Sequence, residues 1–209
     1  MHADPDEHQV MTVSIYQLKP RFQQLLQPLV RALAARRVTP NQLTVGTTVA
    51  MLAYGVALAR WPHQTALWLG LAVVMPVRMA LNALDGLLAK HTHQQSRLGA
   101  VLNEVCDVAA DLALYLPFAM LPGVHAVLAV VAAALATLSE TAGLAACAAG
   151  GPRRFDGPMG KSDRAFAYGT MGLMTGLQLP SLWVNLTLGV VLVLLLFTIS
   201  NRLRRSVAF

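Results

Sequence analysis

Two long apolar runs are interrupted by polar side chains: Asn82, Asp85 and Lys90 in the first, Asn103, Glu104, Asp107 and Asp111 in the second. Ionisable groups at membrane depth are costly and mark function more often than packing. On helices turning about 100° per residue, Arg78, Asn82, Asp85 and Ala89 share an arc of about 60°, while Asn103, Glu104, Asp107 and Asp111 share one of about 100°, with Gly99 beside it. The short basic connection from Lys90 to Arg97 joins the two runs, so their polar faces are expected to meet at one end. Converging acids repel or take up protons unless a cation neutralises them. Oxygen ligands without cysteine or paired histidine suit a hard ion, Mg²⁺ or Mn²⁺. Such ions suit a phosphate-bearing substrate, and Gly86 and Gly99 let a bulky phosphate or nucleotide approach the backbone, so the pattern points to phosphoryl-type transfer. The alternative is structural, with buried polar pairs holding two helices together.

The elements that carry these residues belong to a membrane protein. The chain has 209 residues, 56% hydrophobic and 12% charged, about half the charge of an average soluble domain. Its formal charge is +6, with the cations in short segments beside apolar runs. That placement assigns them to membrane orientation and phosphate contact, and the scattered aromatics give no stacking platform for nucleic acid. Cys106 and Cys147 lie in apolar runs without metal-ligand spacing, so neither a disulfide framework nor a zinc site is expected. The acidic, His-containing start does not read as a cleaved signal peptide.

In order, residues 1–12 are expected to be loose, and 14–37 form a basic amphipathic helix on the membrane surface. Thr39-Pro40 opens a first span reaching Arg60. Further spans are expected over about 65–90, 98–121, 124–148, 165–179 and 181–200, the fifth being the weakest, with basic residues stopping the sixth at the interface. The fold class is therefore all-α: a polytopic bundle of six transmembrane helices with an N-terminal amphipathic surface helix. Residues 1–38 form the polar N-terminus and juxtamembrane helix, and 39–209 the membrane domain. Sorting Lys and Arg by side puts both termini and the polar cluster at the cytoplasmic face. A polarity confined to one face, without discontinuous paired helices, disfavours a transporter.

Asn82-x-x-Asp85-Gly86-x-x-Ala89-Lys90, then eight residues and Gly99-x-x-x-Asn103-x-x-x-Asp107, resembles the signature of the CDP-alcohol phosphotransferases, which has Asp, Asp-Gly, Ala-Arg, Gly, Asp and Asp in these places. Thr39-Pro40-Asn41-x-Leu43-Thr44 and the six-span layout extend the likeness over most of the chain. The resemblance implies a multi-pass membrane transferase of phospholipid biosynthesis. It would move a substituted phosphate from a CDP-linked lipid donor, usually CDP-diacylglycerol, to an alcohol acceptor with release of CMP. It implies Asp85 and Asp107 as metal ligands, Asp107 also as general base, and Gly86, Ala89, Lys90 and Gly99 around the CDP moiety. It further implies a homodimer, and a bacterial-type inner membrane is the expected location.

Asn82, Asn103 and Lys90 depart from that pattern. An amide oxygen coordinates an ion but does not neutralise it, so the expected number of ions is one or two. Glu104 and Asp111 are candidates to replace the missing charge, and a catalytically altered or inactive relative is the alternative reading. Glu140 is expected either to pair with Arg78 or to remain protonated or loop-facing. Arg153, Arg154, Lys161 and Arg164 either bind a phosphorylated acceptor, such as glycerol phosphate or an inositol phosphate, or only obey the positive-inside bias. His91 and His93 are expected to be solvated.

Overall fold

Apolar periodicity, interrupted by Pro and Gly, folds into helices throughout the described part of the chain. The computed structural model describes residues 15–207, and the loose segment expected over 1–12 lies outside them. Among the described residues the elements are α1 (Ile15–Ala35), α2 (Pro40–Arg60), α3 (Thr65–His91), α4 (Arg97–Tyr115), a 3₁₀ turn (Leu116–Met120), α5 (Ala126–Ala148), α6 (Lys161–Gly176) and α7 (Ser181–Ser206), without strands.

Helices α2, α3, α5 and α7 are long and apolar enough to cross a membrane. Their outward faces expose Val56, Val73, Val190 and Phe197, as lipid-facing helices do. The chain is accordingly an all-helical membrane protein. Helix α4 is too charged for the same description and α6, at 16 residues, too short. Those two helices supply much of the polar centre.

Local chemistry sets the boundaries. Thr39 caps α2 through a reciprocal box: its hydroxyl accepts from the Gln42 N–H at 3.2 Å, while the Gln42 side chain accepts from the Thr39 N–H at 2.9 Å. Ser96 caps α4 by accepting from the Gly99 N–H at 3.0 Å. The expected unbroken run over 98–121 instead changes to a 3₁₀ turn after Tyr115, where Pro117 lacks the N–H that α-helix continuation requires. Helix α6 begins at Lys161, ahead of the expected 165, and ends at Gly176. Helix α7 does not stop at Ser200 but runs to Ser206, because Arg202 turns inward and donates from Nη1 to the Ser139 carbonyl at 2.5 Å.

Packing pairs α2 with α4, α3 with α6 and α5 with α7. Gly55 permits the first of these contacts: a Cβ there would lie 2.1 Å from the Ala113 carbonyl oxygen. The apolar core gathers Trp68, Leu71, Met75, Leu114, Phe118, Tyr168 and Leu195, all almost fully buried. Helix α1 lies on α3 through Val30, Leu84 and Leu88, whereas Leu25 and Leu29 on its other side stay exposed. The core lies beside the charged centre and holds its helices at fixed rotations.

Candidate functional site

One turn of helix is the repeating unit of the site. Asn82 lies one turn beyond Arg78 on α3, Asp111 one turn beyond Asp107 on α4, and Arg164 near one turn beyond Lys161 on α6. Helix α3 packs on α6, and α4 on α2 and α5, so these pairs face a common centre.

A cavity of about 360 Å³ opens at the ends of α2, α3 and α4. Its wall includes Asn82, Asp85, Gly86, Ala89, Lys90, Gly99, Asn103 and Glu104, together with Pro40, Asn41 and Thr44. Every signature position from Asn82 to Asn103 quoted above therefore lines it, and Asp107 does not. A Cβ at Gly86 would meet nothing within 4 Å, so protein packing does not require that glycine and the space beside it is free for a ligand. At Gly99 a Cβ would approach Asn41 Oδ1 to 3.0 Å and Ser96 Oγ to 3.1 Å.

The two signature carboxylates have different surroundings. Asp85 Oδ2 accepts from Thr44 Oγ1 at 2.8 Å and from Asn103 Nδ2 at 3.0 Å, both neutral donors. Asp107 is held by cations and an amide: Lys161 pairs with Oδ2, Asn82 donates to Oδ1, and Arg78 Nη2 lies 3.6 Å from Oδ1 while donating to the Asp107 carbonyl at 2.9 Å.

Deeper in the bundle a chain of ion pairs continues from Asp107. Arg78 Nη1 lies 2.6 Å from Asp111 Oδ1, and Arg164 Nη2 joins Asp111 at 3.2 Å to Glu140 at 2.8 Å. Arg153 links Glu140, at 3.1 Å, to Glu104. Arg202 Nη1 stands 3.6 Å from Glu140. Arg78, Arg164 and Arg202 are all buried, and buried charges persist only when paired in this way. Burial first, and then the Arg202 guanidinium, lower the Arg153 pKa from its ordinary value.

Several expectations change here. Glu140 does not pair with Arg78; its partners are Arg153, Arg164 and Arg202, while Arg78 serves Asp107 and Asp111. Glu104 lines the cavity but carries Arg153, and Asp111 is engaged by Arg78 and Arg164 away from the cavity wall. Of the four expected acceptor-side cations, Arg153, Lys161 and Arg164 are tied to carboxylates, and Arg154 donates to the Arg205 carbonyl at 2.7 Å. His91 and His93 are exposed, and Cys106 and Cys147 are free thiols. Thr44 was visible in sequence only as part of the α2 start, yet it is a direct partner of Asp85.

Among the described residues no three His, Cys, Asp or Glu side chains gather as an ion-holding group. Of the two carboxylates on the cavity wall, Glu104 is paired with Arg153, whereas Asp85 is flanked by the amides Asn82 and Asn103, a donor set that fits a single hard divalent ion.

A protein-family model for the CDP-alcohol phosphatidyltransferases matches residues 37–199. The chain is 43% identical to the inner membrane protein YnbA of Escherichia coli K12 over 193 residues, which is 92% of this chain and 96% of that one. It is 33% identical to a phosphatidylinositol phosphate synthase of Corynebacterium glutamicum over 93 residues, 44% of this chain and 41% of the relative. Crystal structures of the Mycobacterium tuberculosis phosphatidylinositol phosphate synthase share the fold. The form with CDP-DAG bound has a TM-score of 0.76 at 20% identity, covering 88% of this chain and 94% of that one. The complex with manganese and citrate has a TM-score of 0.74 at 20% identity, with coverage of 87% and 88%.

Proposed function

The chain belongs to the CDP-alcohol phosphatidyltransferase family, and on that premise we propose that it transfers a phosphatidyl group from CDP-diacylglycerol, or a similar CDP-alcohol, to an alcohol acceptor with release of CMP. The observation that carries this reading is the cavity: signature residues from two helices, Asn82 to Lys90 and Gly99 to Asn103, line one space. The open face of Gly86 provides room for the CDP moiety, with Ala89, Lys90 and Gly99 around it.

In this reading Asp107 is the catalytic base. The acceptor hydroxyl oxygen bonds to the lipid-side phosphorus, its proton passes to Asp107, and the phosphorus–oxygen bond to CMP breaks. Asp85, with the amide oxygens of Asn82 and Asn103, would hold Mg²⁺ or Mn²⁺, and Glu104 and Asp111 would contribute charge once released from Arg153 and from Arg78 and Arg164. When bound, the ion supplies Lewis-acid polarisation of the diphosphate. Lys90 offers the cavity a cation for the nucleotide phosphates, and Arg153, Arg154, Lys161 and Arg164 form the acceptor side, suited to a phosphorylated alcohol that Lys161 meets from its place on Asp107.

The domain extends over 39–209, preceded by the juxtamembrane segment 1–38. Helices α4 and α6 complete six spans, α1 lies on the membrane surface, and the chain works as a homodimer in a bacterial-type inner membrane. Basic residues at the α3–α4 and α5–α6 connections and at the end of α7 support a cytoplasmic site and cytoplasmic termini.

Membranes carrying the protein, given radiolabelled CDP-diacylglycerol, Mg²⁺ or Mn²⁺ and a panel of alcohols, are expected to release CMP only when one acceptor class is present. A second reading, a relative that binds the nucleotide lipid without turning it over, is favoured by Asn82 and Asn103 in place of two acids. Donor binding by calorimetry without CMP release from any acceptor would establish it.

A further inference from the structure

The two signature carboxylates are treated differently by the rest of the protein. Asp85 faces the cavity and accepts only from neutral groups, the Thr44 hydroxyl and the Asn103 amide, so its charge stays uncompensated by the side chains it bonds. Asp107 stands off the cavity wall with Lys161 on one oxygen, Asn82 on the other and Arg78 within ion-pair distance. A carboxylate with an ammonium and a guanidinium already against it gains little from a further cation and would repel one through them. Asn82, which bridges to Asp107 through its amide nitrogen, adds no negative charge to offset that repulsion.

We infer that this site takes one divalent ion, at Asp85 on the cavity side, and that Lys161 with Arg78 supplies at Asp107 the positive charge a second ion would bring. The inference rests on the transferase reading only for the kind of ion expected. Lys161 thereby acts as a positioning residue for Asp107: its cation fixes the carboxylate in place and keeps a second metal out. Its location at the first position of α6, behind the Gly160 N–H to Asp163 Oδ2 bond at 2.9 Å, sets the ammonium by the helix start rather than by a mobile loop.

The test counts Mn²⁺ bound to the purified full-length chain by electron paramagnetic resonance, with Mn²⁺ alone as the probe. Wild type is expected to saturate at about one ion per chain, set by Asp85, since the other cavity-facing carboxylate, Glu104, is already paired with Arg153. Saturation at two, or no binding, overturns the inference without need of any variant. The double variant Asn82→Asp with Lys161→Ala exchanges an amide for an acid and removes the ammonium, and it is expected to bind a second ion. A folded double variant that still binds one ion also overturns it. CMP release is followed on the same wild-type preparation. One bound ion without CMP release defeats the transferase reading and leaves the ion count standing, while two bound ions with CMP release do the reverse.

Discussion

Asn103 donates its side-chain amide to Asp85 Oδ2 at 3.0 Å across 18 positions of sequence. The donor is neutral, so it leaves the Asp85 carboxylate without a cationic partner beside the cavity. Asn103→Asp removes the donor and sets carboxylate against carboxylate. Loss of one partner from a buried acceptor costs about 1–3 kcal/mol, and like-charge repulsion adds to it. Thermal unfolding in detergent without divalent ions is therefore expected at a lower temperature than for wild type. Mn²⁺ is expected to raise the variant's Tm by more than it raises the wild type's, because tighter binding to the folded state stabilises it further. Equal Mn²⁺ shifts in the two proteins would reject the role given to this pair.

Asp107→Asn keeps the side chain's size and removes the proton acceptor. CMP release is expected to fall by about 10²–10⁴-fold, the usual contribution of a positioned base. Asp107 lies off the cavity wall, so calorimetric binding of CDP-diacylglycerol is expected to change little. An unaltered turnover rate would remove Asp107 from the chemistry and leave the cavity's donor role standing.

Gly86→Ala separates a ligand requirement from a packing requirement. The added methyl meets no protein atom within 4 Å, and replacing a helical glycine by alanine favours the helix by about 0.8–1 kcal/mol. The folded state is thus expected to be at least as stable, while the methyl enters the cavity that the CDP moiety would fill. KM for CDP-diacylglycerol is expected to rise by about tenfold or more with kcat less affected, as when ground-state and transition-state binding are lost equally. An unchanged KM would place the nucleotide elsewhere.

The helices and the cavity wall were legible because their signals are local. Thr39-Pro40 marks the start of α2, and the one-turn spacing of Asn82, Asp85 and Ala89 survives in any α-helix. Ion-pair partners are not local, since they depend on how far each helix is rotated and at what depth it crosses its neighbours. The sequence leaves Glu140 either opposite Arg78 or protonated or loop-facing, whereas the packing of α5 on α7 and the fold-back of the 149–160 connection bring Arg202, Arg153 and Arg164 to it. Part of that fold-back is visible in the Arg154 N–H bond to the Gly143 carbonyl at 3.1 Å and the Met159 N–H bond to Thr198 Oγ1 at 2.9 Å. Arg202 looked like an interfacial stop because a cation after an apolar run usually is one. Its burial is a tertiary event with no mark in the sequence.

Arg164 tests whether the deep network is structural. It is fully buried and joins Asp111 of α4 to Glu140 of α5 from the first turn of α6, so its removal leaves two buried acids short of a partner at once. Arg164→Ala is expected to destabilise the protein, but by less than the ~3–5 kcal/mol lost when a buried charge is left without any partner, because Asp111 keeps Arg78 and Glu140 keeps Arg153 and Arg202. Lysine offers a point charge that cannot span both acids as the forked guanidinium does, so Arg164→Lys is expected to recover only part of that loss. The triple change Arg164→Leu with Asp111→Leu and Glu140→Leu removes the stranded acids, although it leaves Arg78, Arg153 and Arg202 with fewer partners. It is expected to be more stable than Arg164→Ala if carboxylates left short of positive charge, rather than lost packing, dominate the loss. Comparing the midpoints of thermal unfolding in one detergent decides between these causes: a triple variant no more stable than Arg164→Ala would assign the loss to packing and to the cations left behind.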